Sequence, residues 1–581
     1  MFPTLPAALA HHAETIPDQL FTRVLKGGNE IAAHTFAEMW TYATQWAALF
    51  TERGLRHGEA VILALPNTHE FVGAYYGCLI AGLAPAPLAP LRRIAEDDPY
   101  LQTILARAKF IDAKAIIVTA EQHSLILRLG TGQASNPSAL LRTSLQLLIT
   151  NTAQTRSGTG YQLLSSSHLD PARRLASIRS TPDDLALIQF TSGTAGDPKA
   201  VALSQRALVT HVSLLQNWLR LYDRFVERGV SWLPFFHDMG LIGFLLTPGY
   251  AGGEINLLQL EDFILRPTVW LKALTERRAT ITGGPPSAFA LCAKRVKAAD
   301  VSQYDLSSVR AALVGAEQVT RESVNAFCEK FRAAGFRSSA MLPTYGLAEA
   351  SLAVTMPPLE TEPIFDSIEA AALADGRAVP REAQDGDPAS VRWFASVGAP
   401  LPDISIRIVD DRDRDLPERS IGEILIKSPA LMNGYLRSPN HAFRDGWLYT
   451  GDLGYAADGN LHVTGRKKEV IIVGGRNYYP DDVEQIVSAV PGVRMDRAVA
   501  IGVEDSELAT ERLIVLAETD KAEAAERDAL RLSIRRALLA TGYPIGEVVL
   551  LKPKSIRSTL TGKLKRMDCK ARYLTGEFAD D

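Results

Sequence analysis

Residues 187–204 read LIQFTSGTAGDPKAVALS. Apolar residues lead into hydroxyls, glycines and one lysine, Lys199, and apolar residues come after it. Small residues let backbone N–H groups approach a phosphate, Ser and Thr hydroxyls donate to its oxygens, and a lysine adds a point charge. The same composition also makes an ordinary hairpin turn, so the stretch alone leaves both readings open. Its order, GxxGxxK, is not the GxxxxGK[ST] of a Walker loop. The next residues, AVAL, read as a strand before Ser204 can cap a helix, which argues against a Walker-type nucleoside triphosphatase.

Outward from this loop, short β-branched runs alternate with helical periodicity: AVILAL (60–65), AKAIIVTA (113–120), LALIQF (185–190), GVSWLP (229–234) and VRAALVGA (309–316). Strands separated by helices predict an α/β domain with a mainly parallel sheet. Residues 151–168, NTAQTRSGTGYQLLSSSH, read as a surface loop between two halves of that domain. Glu360–Pro388 holds eight acidic residues against two arginines, with SIEAAALADG as its only helix-like piece, and is expected to be a solvated excursion. After Val391, ISIRIVDD, GEILIKS and NLHVTGR predict a small β-rich subdomain. From Gly465 the texture changes again: KEVIIVGG, a helix from near Asp481, RAVAIGV, ERLIVLAE, a helix from about Ala522 to Ala540, and VVLLKP. These would form a compact α+β domain of about 115 residues, within the usual size range. The boundary falls at Gly465–Lys468, giving domains 1–465 and 466–581.

Composition narrows the function. At 581 residues the chain exceeds one core, and a net charge of −4 with 46% hydrophobic residues gives no global polarity suited to nucleic acid or an anionic membrane. Cys78, Cys292, Cys328 and Cys569 form neither CxxC nor Cys/His ligand spacing, which fits a reducing cytoplasm. The N-terminus, MFPTLPAALAHHAETIPDQ, lacks the pattern of a signal peptide. Phe71–Leu91 carries no charge and is long enough to span a membrane, but Pro85, Pro87 and Pro90 interrupt it. A buried helix followed by an extended segment is the expectation, without integral membrane association.

Seven segments occur in order: TSGTAGDPK (191–199), FFHDMGL (235–241), GAEQV (315–319), YGLAEAS (345–351), YTGDLG (450–455), GRKKEVII (465–472) and TGKLKR (561–566). Together they resemble the adenylate-forming superfamily of acyl-CoA synthetases, luciferase-like enzymes and adenylation domains. SWLPFFHDMGLIGFLLTP, YGLAEASLAV and GRNYYPDDVE are similar, more narrowly, to fatty acyl-AMP ligases. The resemblance implies a large N-terminal adenylate-forming domain, with two α/β subdomains and a small β subdomain, and a smaller mobile α+β C-terminal domain. It also implies ATP and Mg²⁺, a fatty acid substrate, and an acyl carrier protein as acceptor. In that family an insertion after the YGLAE-type motif hampers the rotation that CoA-dependent chemistry needs. Here Tyr345 to Gly398 is 53 residues, and the stretch near 360–390 is taken as the insertion. A CoA ligase, an enzyme for aryl or short acids, and an idle acyl-nucleotide binding module are the alternatives.

A carboxylic acid is ionised at pH 7, so its attack on the α-phosphorus of ATP needs no general base; it needs charge neutralisation and alignment. The resemblance implies that Thr191, Ser192, Gly193, Thr194, Gly196 and Lys199 grip the β and γ phosphates. It implies that Glu349 holds Mg²⁺, that Tyr345 and Gly346 lie against adenine with Gly315, Ala316 and Glu317 opposite, and that Thr344 reaches the α-phosphate. Asp452 would accept from the ribose hydroxyls, Arg466 would contact ribose or phosphate, and His237 would sit near the substrate carboxylate. Lys468 takes the hinge position, and Lys563, in TGK, would bridge carboxylate and α-phosphate. Departures are Ala195 and Ala200, where a hydroxyl or glycine is commoner, and the missing proline and serine before Lys563. For the acyl chain, Gly283, Gly284 and Ala288 in GGPPSAFALC are candidates to leave room and Phe289 to end it.

Overall fold

The computed structural model describes residues 1–91, 99–130, 162–170, 177–191, 199–221, 227–381, 391–438, 442–474, 476–505, 510–558 and 564–578. Ser192, Gly193, Thr194, Gly196 and Lys563 therefore lie outside the described residues, as do most of the 151–168 loop and residues 382–390 of the acidic stretch.

The expected parallel sheet is present twice. A seven-stranded sheet runs, edge to edge, Met341–Pro343, Ala311–Val314, Ile281–Gly284, Arg228–Ser231, Glu254–Leu258, Leu20–Lys26, Asn29–Thr35. Every neighbouring pair is parallel except the final hairpin. A four-stranded parallel sheet orders Ala84–Pro87, Ala60–Leu63, Ala115–Ile117 and Gln162–Leu164. Strands such as Val61-Ile62-Leu63 are apolar throughout because both faces are covered, as parallel sheets require.

The uncharged stretch resolves as expected. Helix His69–Ala81 is buried along Phe71–Ala81 and stops at Gly82, whose φ of +73° ends it. Pro85 and Pro87 then sit in Ala84–Pro87, the edge strand of the four-stranded order, where a missing N–H breaks no ladder. No helix among the described residues is long and apolar enough to cross a membrane.

The opening stretch is an antiparallel hairpin: Leu185–Thr191 pairs with Lys199–Ser204, Thr191 opposite Lys199. Ser204 caps the next helix, Gln205–Trp218, by accepting from the Ala207 N–H. The reading of AVAL as a strand and Ser204 as a cap agrees with this geometry. A third strand, Gly434–Tyr435, pairs with Lys199–Ser204 from the other side.

The β-rich segment forms a five-stranded sheet in which Trp447–Ala457 is paired with Gly422–Lys427 and with Asn460–Arg466. Beyond it, Val493–Asp505, Thr510–Thr519 and Ile545–Leu551 form a three-stranded sheet. Helices Pro480–Ser488, Ala524–Ala540 and Arg566–Leu574 accompany it. Buried residues between Ile471 and Phe578 form two hydrophobic clusters of their own.

One expectation is overturned. The acidic stretch is not simply a solvated excursion: Phe365–Glu369 is a strand paired with Val391–Ala395, followed by helix Ala370–Ala374. Ile368, Leu373 and Ala378 are buried in one cluster with Phe394, Tyr455 and Tyr479. Among the described residues of the stretch, Asp366 pairs with Arg419 at 2.8 Å and Glu360, Glu362 and Asp375 are exposed, while Ile368, Leu373 and Ala378 turn inward.

Candidate functional site

Three of the segments singled out above begin where strands of the large sheet end. Ala311–Val314 leads into Gly315, Met341–Pro343 into Thr344, and Arg228–Ser231 into the loop bearing His237. In an open parallel sheet the crevice beyond the carboxyl ends of the strands is where ligands bind. Gly315 and Thr344 touch there: the Thr344 N–H donates to Val314 O at 2.8 Å, and a Cβ on Gly315 would lie 2.6 Å from Thr344 O. Ala316 has φ +67°, a left-handed conformation that costs a non-glycine residue about 1–3 kcal/mol and that tends to be retained at functional sites. Glu317 next to it is half-buried. Gly346 is fixed sterically, since a Cβ would come 1.8 Å from Leu352 O.

From this crevice the contacts run into the β subdomain. The Tyr345 hydroxyl donates to Asp452 Oδ2 at 2.8 Å, and Arg466 Nε lies 3.2 Å from Asp452 Oδ1. Asp452 and Arg466 are direct cross-strand partners, so the ladder sets their pairing. Asp452 is buried; a carboxylate has about four lone-pair sites, which leaves acceptor capacity beyond Tyr345 and Arg466. Burial and the neighbouring Asp452 charge push the Tyr345 phenol well above its usual range, so it stays a neutral donor.

At the phosphate-loop end, Lys199 Nζ sits 4.5 Å over the ring of Tyr435, whose hydroxyl donates to Glu349 Oε1 at 2.7 Å. Thr191 stands across the hairpin from Lys199. Among the described residues no group of three or more His, Cys, Asp or Glu side chains is placed to hold a metal ion. Mg²⁺ does not require one: it binds through one or two carboxylates with water and phosphate oxygens. Glu349, close to the base of a phosphate-type loop and with one oxygen already oriented by Tyr435, fits that donor set.

His237 Nδ1 lies 2.6 Å from Asp238 Oδ1, which also accepts from the Met239 N–H at 2.7 Å. Burial opposes the Asp238 charge, but His237 and the backbone N–H hold its pKa below the usual range. Gln189 Nε2 donates to Phe236 O at 2.7 Å, tying the strand before Thr191 to the His237 loop. Lys468 is exposed, between two residues that look opposite ways. Lys467 Nζ pairs with Glu423 and Asp411 of the β subdomain at 2.9 Å each, whereas Glu469 pairs with Arg566 of the small domain.

The acyl-chain candidates separate. Phe289 is fully buried against Trp270 and Phe327, and Phe244 fills the space Gly283 leaves. Gly243, Phe244, Thr247, Ile281 and Leu313 line a narrow apolar pocket, together with Arg228, Gly229, Glu254 and Ile255 at the starts of their strands. Tyr435 and Arg566 were not assigned roles from sequence. Arg566 ends the segment TGKLKR, where only Lys563 has an implied role, and Tyr435 belongs to none of the seven segments; their partners are distant in the chain.

The arrangement is that of an α/β enzyme with a crevice at the carboxyl edge of a parallel sheet, followed by a small α+β unit. The chain belongs to the AMP-binding enzymes, whose family pattern matches residues 9–436. It is 31% identical over all of its length to a putative acyl-CoA synthetase of Caulobacter vibrioides, covering 96% of that protein. It is 32% identical to the medium-chain-fatty-acid–[acyl-carrier-protein] ligase JamA of Moorena producens, over 91% of this chain and 88% of that one. It superposes on one of the solved fatty acyl-adenylate ligases of E. coli and L. pneumophila with a TM-score of 0.85 and 29% identity, over 100% of this chain and 99% of the other.

Proposed function

We propose that this protein activates a fatty acid with ATP and passes the acyl group to the phosphopantetheine thiol of an acyl carrier protein. In the first step a carboxylate oxygen bonds to the α-phosphorus as the bond to the β-phosphate bridging oxygen breaks, giving acyl-AMP and pyrophosphate. In the second the thiol sulfur bonds to the acyl carbon, AMP leaves, and the thiol proton is released. The observation that carries the reading is the convergence of Tyr345, Asp452 and Arg466 at one end of the crevice, with Lys199, Tyr435 and Glu349 grouped near the hairpin that carries the phosphate-type loop.

In this reading Thr191 and Lys199, with Ser192, Gly193, Thr194 and Gly196, bind the departing phosphates. Glu349 would hold Mg²⁺, which would supply charge neutralisation to them. Asp452 and Arg466 hold the ribose, Tyr345 and Gly346 the adenine side opposite Gly315, Ala316 and Glu317, and Thr344 the α-phosphate. His237 stands by the carboxylate. Rotation of 466–581 on 1–465 occurs at Lys468 and presents Lys563 to the adenylate in one pose and the thiol channel in the other. The carrier as acceptor is favoured over CoA by the strand and helix at 365–374, which pack against Tyr479 of the small domain and encumber its rotation.

The test is pyrophosphate release with a fatty acid panel, comparing wild type with Lys563→Ala, followed by acyl transfer to a phosphopantetheinylated carrier protein and to free CoA. The expected result is chain-length-dependent release, a loss of about a hundredfold to a thousandfold in Lys563→Ala, and transfer to the carrier. Efficient turnover with CoA would make the protein a CoA ligase instead.

A further inference from the structure

Arg566 opens helix Arg566–Leu574, and its guanidinium donates to three carboxylates from two separate segments. Nη1 reaches Glu469 Oε2 at 2.5 Å, Nε and Nη2 reach the two oxygens of Glu484 at 2.7 Å each, and Nη2 also reaches Asp481. The Arg566, Glu469 and Glu484 side chains are only 13%, 11% and 12% exposed. Glu484 Oε1 additionally accepts from the Ala500 N–H at 3.0 Å, which ties the cluster to the sheet of the small domain.

One cation among three carboxylates is a poor device for stability. Taking ions out of water costs several kcal/mol each, and apolar replacement of such clusters is often neutral or better. What the cluster supplies is geometry, because a planar fork with five fixed donors fits its partners in one orientation. The two ends of this fork matter. Glu469 adjoins Lys468, and its N–H donates to Arg466 O at 2.9 Å, while Arg466 pairs with Asp452. Arg566 comes three residues after Lys563. The stem on either side of 559–563 is closed by the Ser558–Leu564 bridge and by the Lys565 N–H donating to Arg557 O at 3.0 Å.

We propose that Arg566 is a positioning residue: it locks the stem that carries Lys563 to the 466–469 segment, so that rotation at Lys468 delivers Lys563 to a single place at the adenylate. The inference rests on the role given to Lys563 above. A displacement of about 1 Å in a reacting group can cost a hundredfold, so loosening the fork is felt in the step that uses Lys563 and not in the other.

The experiment is a double-mutant cycle in the full-length enzyme with Arg566→Lys, which keeps the charge and loses the fork, and Glu469→Gln, which removes one partner from the other side. Arg566→Ala strands three carboxylates and is avoided. Each single variant is expected to lower the rate constant for adenylation about tenfold to a hundredfold, with the KM for ATP within about twofold and transfer from preformed acyl-adenylate to the carrier within about twofold of wild type. On a Lys563→Ala background neither change is expected to lower adenylation further. Multiplicative losses on that background, equal losses in both half-reactions, or wild-type adenylation in Arg566→Lys and Glu469→Gln would overturn the assignment while leaving the role of Lys563 intact. Full adenylation by Lys563→Ala alone would instead remove that role, and the positioning assignment with it.

Discussion

Tyr435 joins Lys199 and Glu349 at the base of the Leu185–Ser204 hairpin, with its ring beneath Lys199 and its hydroxyl on Glu349. Burial and the Glu349 charge push its phenol far above the usual range, so it serves only as a neutral donor. The two contacts can be separated. Tyr435→Phe keeps the ring and removes the donor that orients Glu349, a hydrogen bond to a charged group worth about 1.5–3 kcal/mol. It is expected to raise the Mg²⁺ concentration for half-maximal pyrophosphate release about tenfold to a hundredfold, with the KM for ATP at saturating Mg²⁺ unchanged. Tyr435→Leu also removes the ring face, worth about 0.5–1 kcal/mol to an exposed ammonium, and should raise that KM about twofold to fivefold. Initial rates over a Mg²⁺ titration separate them; identical titrations for Phe and wild type would mean that the hydroxyl does not orient Glu349. Thr191, Lys199, Glu349, Asp452 and Arg466 were legible because each stands in a segment whose order of residue types is informative. Tyr435 was not, because GYL carries no such order and its partners lie 86 and 236 residues away in sequence.

The start of helix Pro480–Ser488 was legible to within a residue: a proline sits there and Asp481 and Asp482 fall in the first turn, where the helix dipole favours acids. What the sequence hid is that Asp482 is buried. It faces Arg392 Nε at 3.6 Å and the Tyr543 hydroxyl at 3.4 Å, with Asp481 beside it. Burial lifts its carboxyl to about 6, Arg392 pulling the other way and Asp481 adding to the rise, against an ordinary 3.8. A carboxyl raised on folding contributes stability that is complete below its unfolded pKa and lost as pH rises through its folded one. Between pH 7.5 and pH 5, wild type should therefore gain about 1–1.5 kcal/mol relative to Asp482→Asn. The remaining carboxylates titrate in both proteins and cancel in the difference. Urea unfolding at the two pH values measures it, and a difference independent of pH would contradict the assignment. Helix Ala370–Ala374 falls within the helix-like SIEAAALADG, but strand Phe365–Glu369 was missed for a related reason. Ile368, Leu373 and Ala378 recur every five residues, matching neither the period of a strand nor that of a helix, and they are buried by Phe394, Tyr455 and Tyr479 rather than by their neighbours.

Across the whole molecule, the segment between the YGLAE motif and the β subdomain lies against the small domain rather than in solvent. Tyr479 enters its apolar cluster, Arg476 Nε lies 3.5 Å from Asp375, and Arg392 Nη2 donates to the Tyr543 hydroxyl at 3.1 Å. Deleting the segment to free the small domain would thus expose Phe394, Tyr455 and Tyr479 and confuse instability with altered acceptor choice. A sharper intervention is Arg392→Ala, which leaves the strand pairing with Phe365–Glu369 in place and removes the tie to Asp482 and Tyr543. Because Asp482 is already lifted toward neutrality, the loss strands less charge than an ordinary buried pair would. If these contacts restrain rotation at Lys468, weakening them by about 1–3 kcal/mol should raise acyl transfer to free CoA severalfold while pyrophosphate release stays within about threefold of wild type. Thioester formation with CoA and with the carrier, measured on the same preparations with thermal unfolding as a control, decides it. A CoA rate that does not rise in a folded Arg392→Ala protein would place acceptor selection in the thiol channel itself, since a restraint on the small domain can favour one acceptor only by acting differently on the two poses.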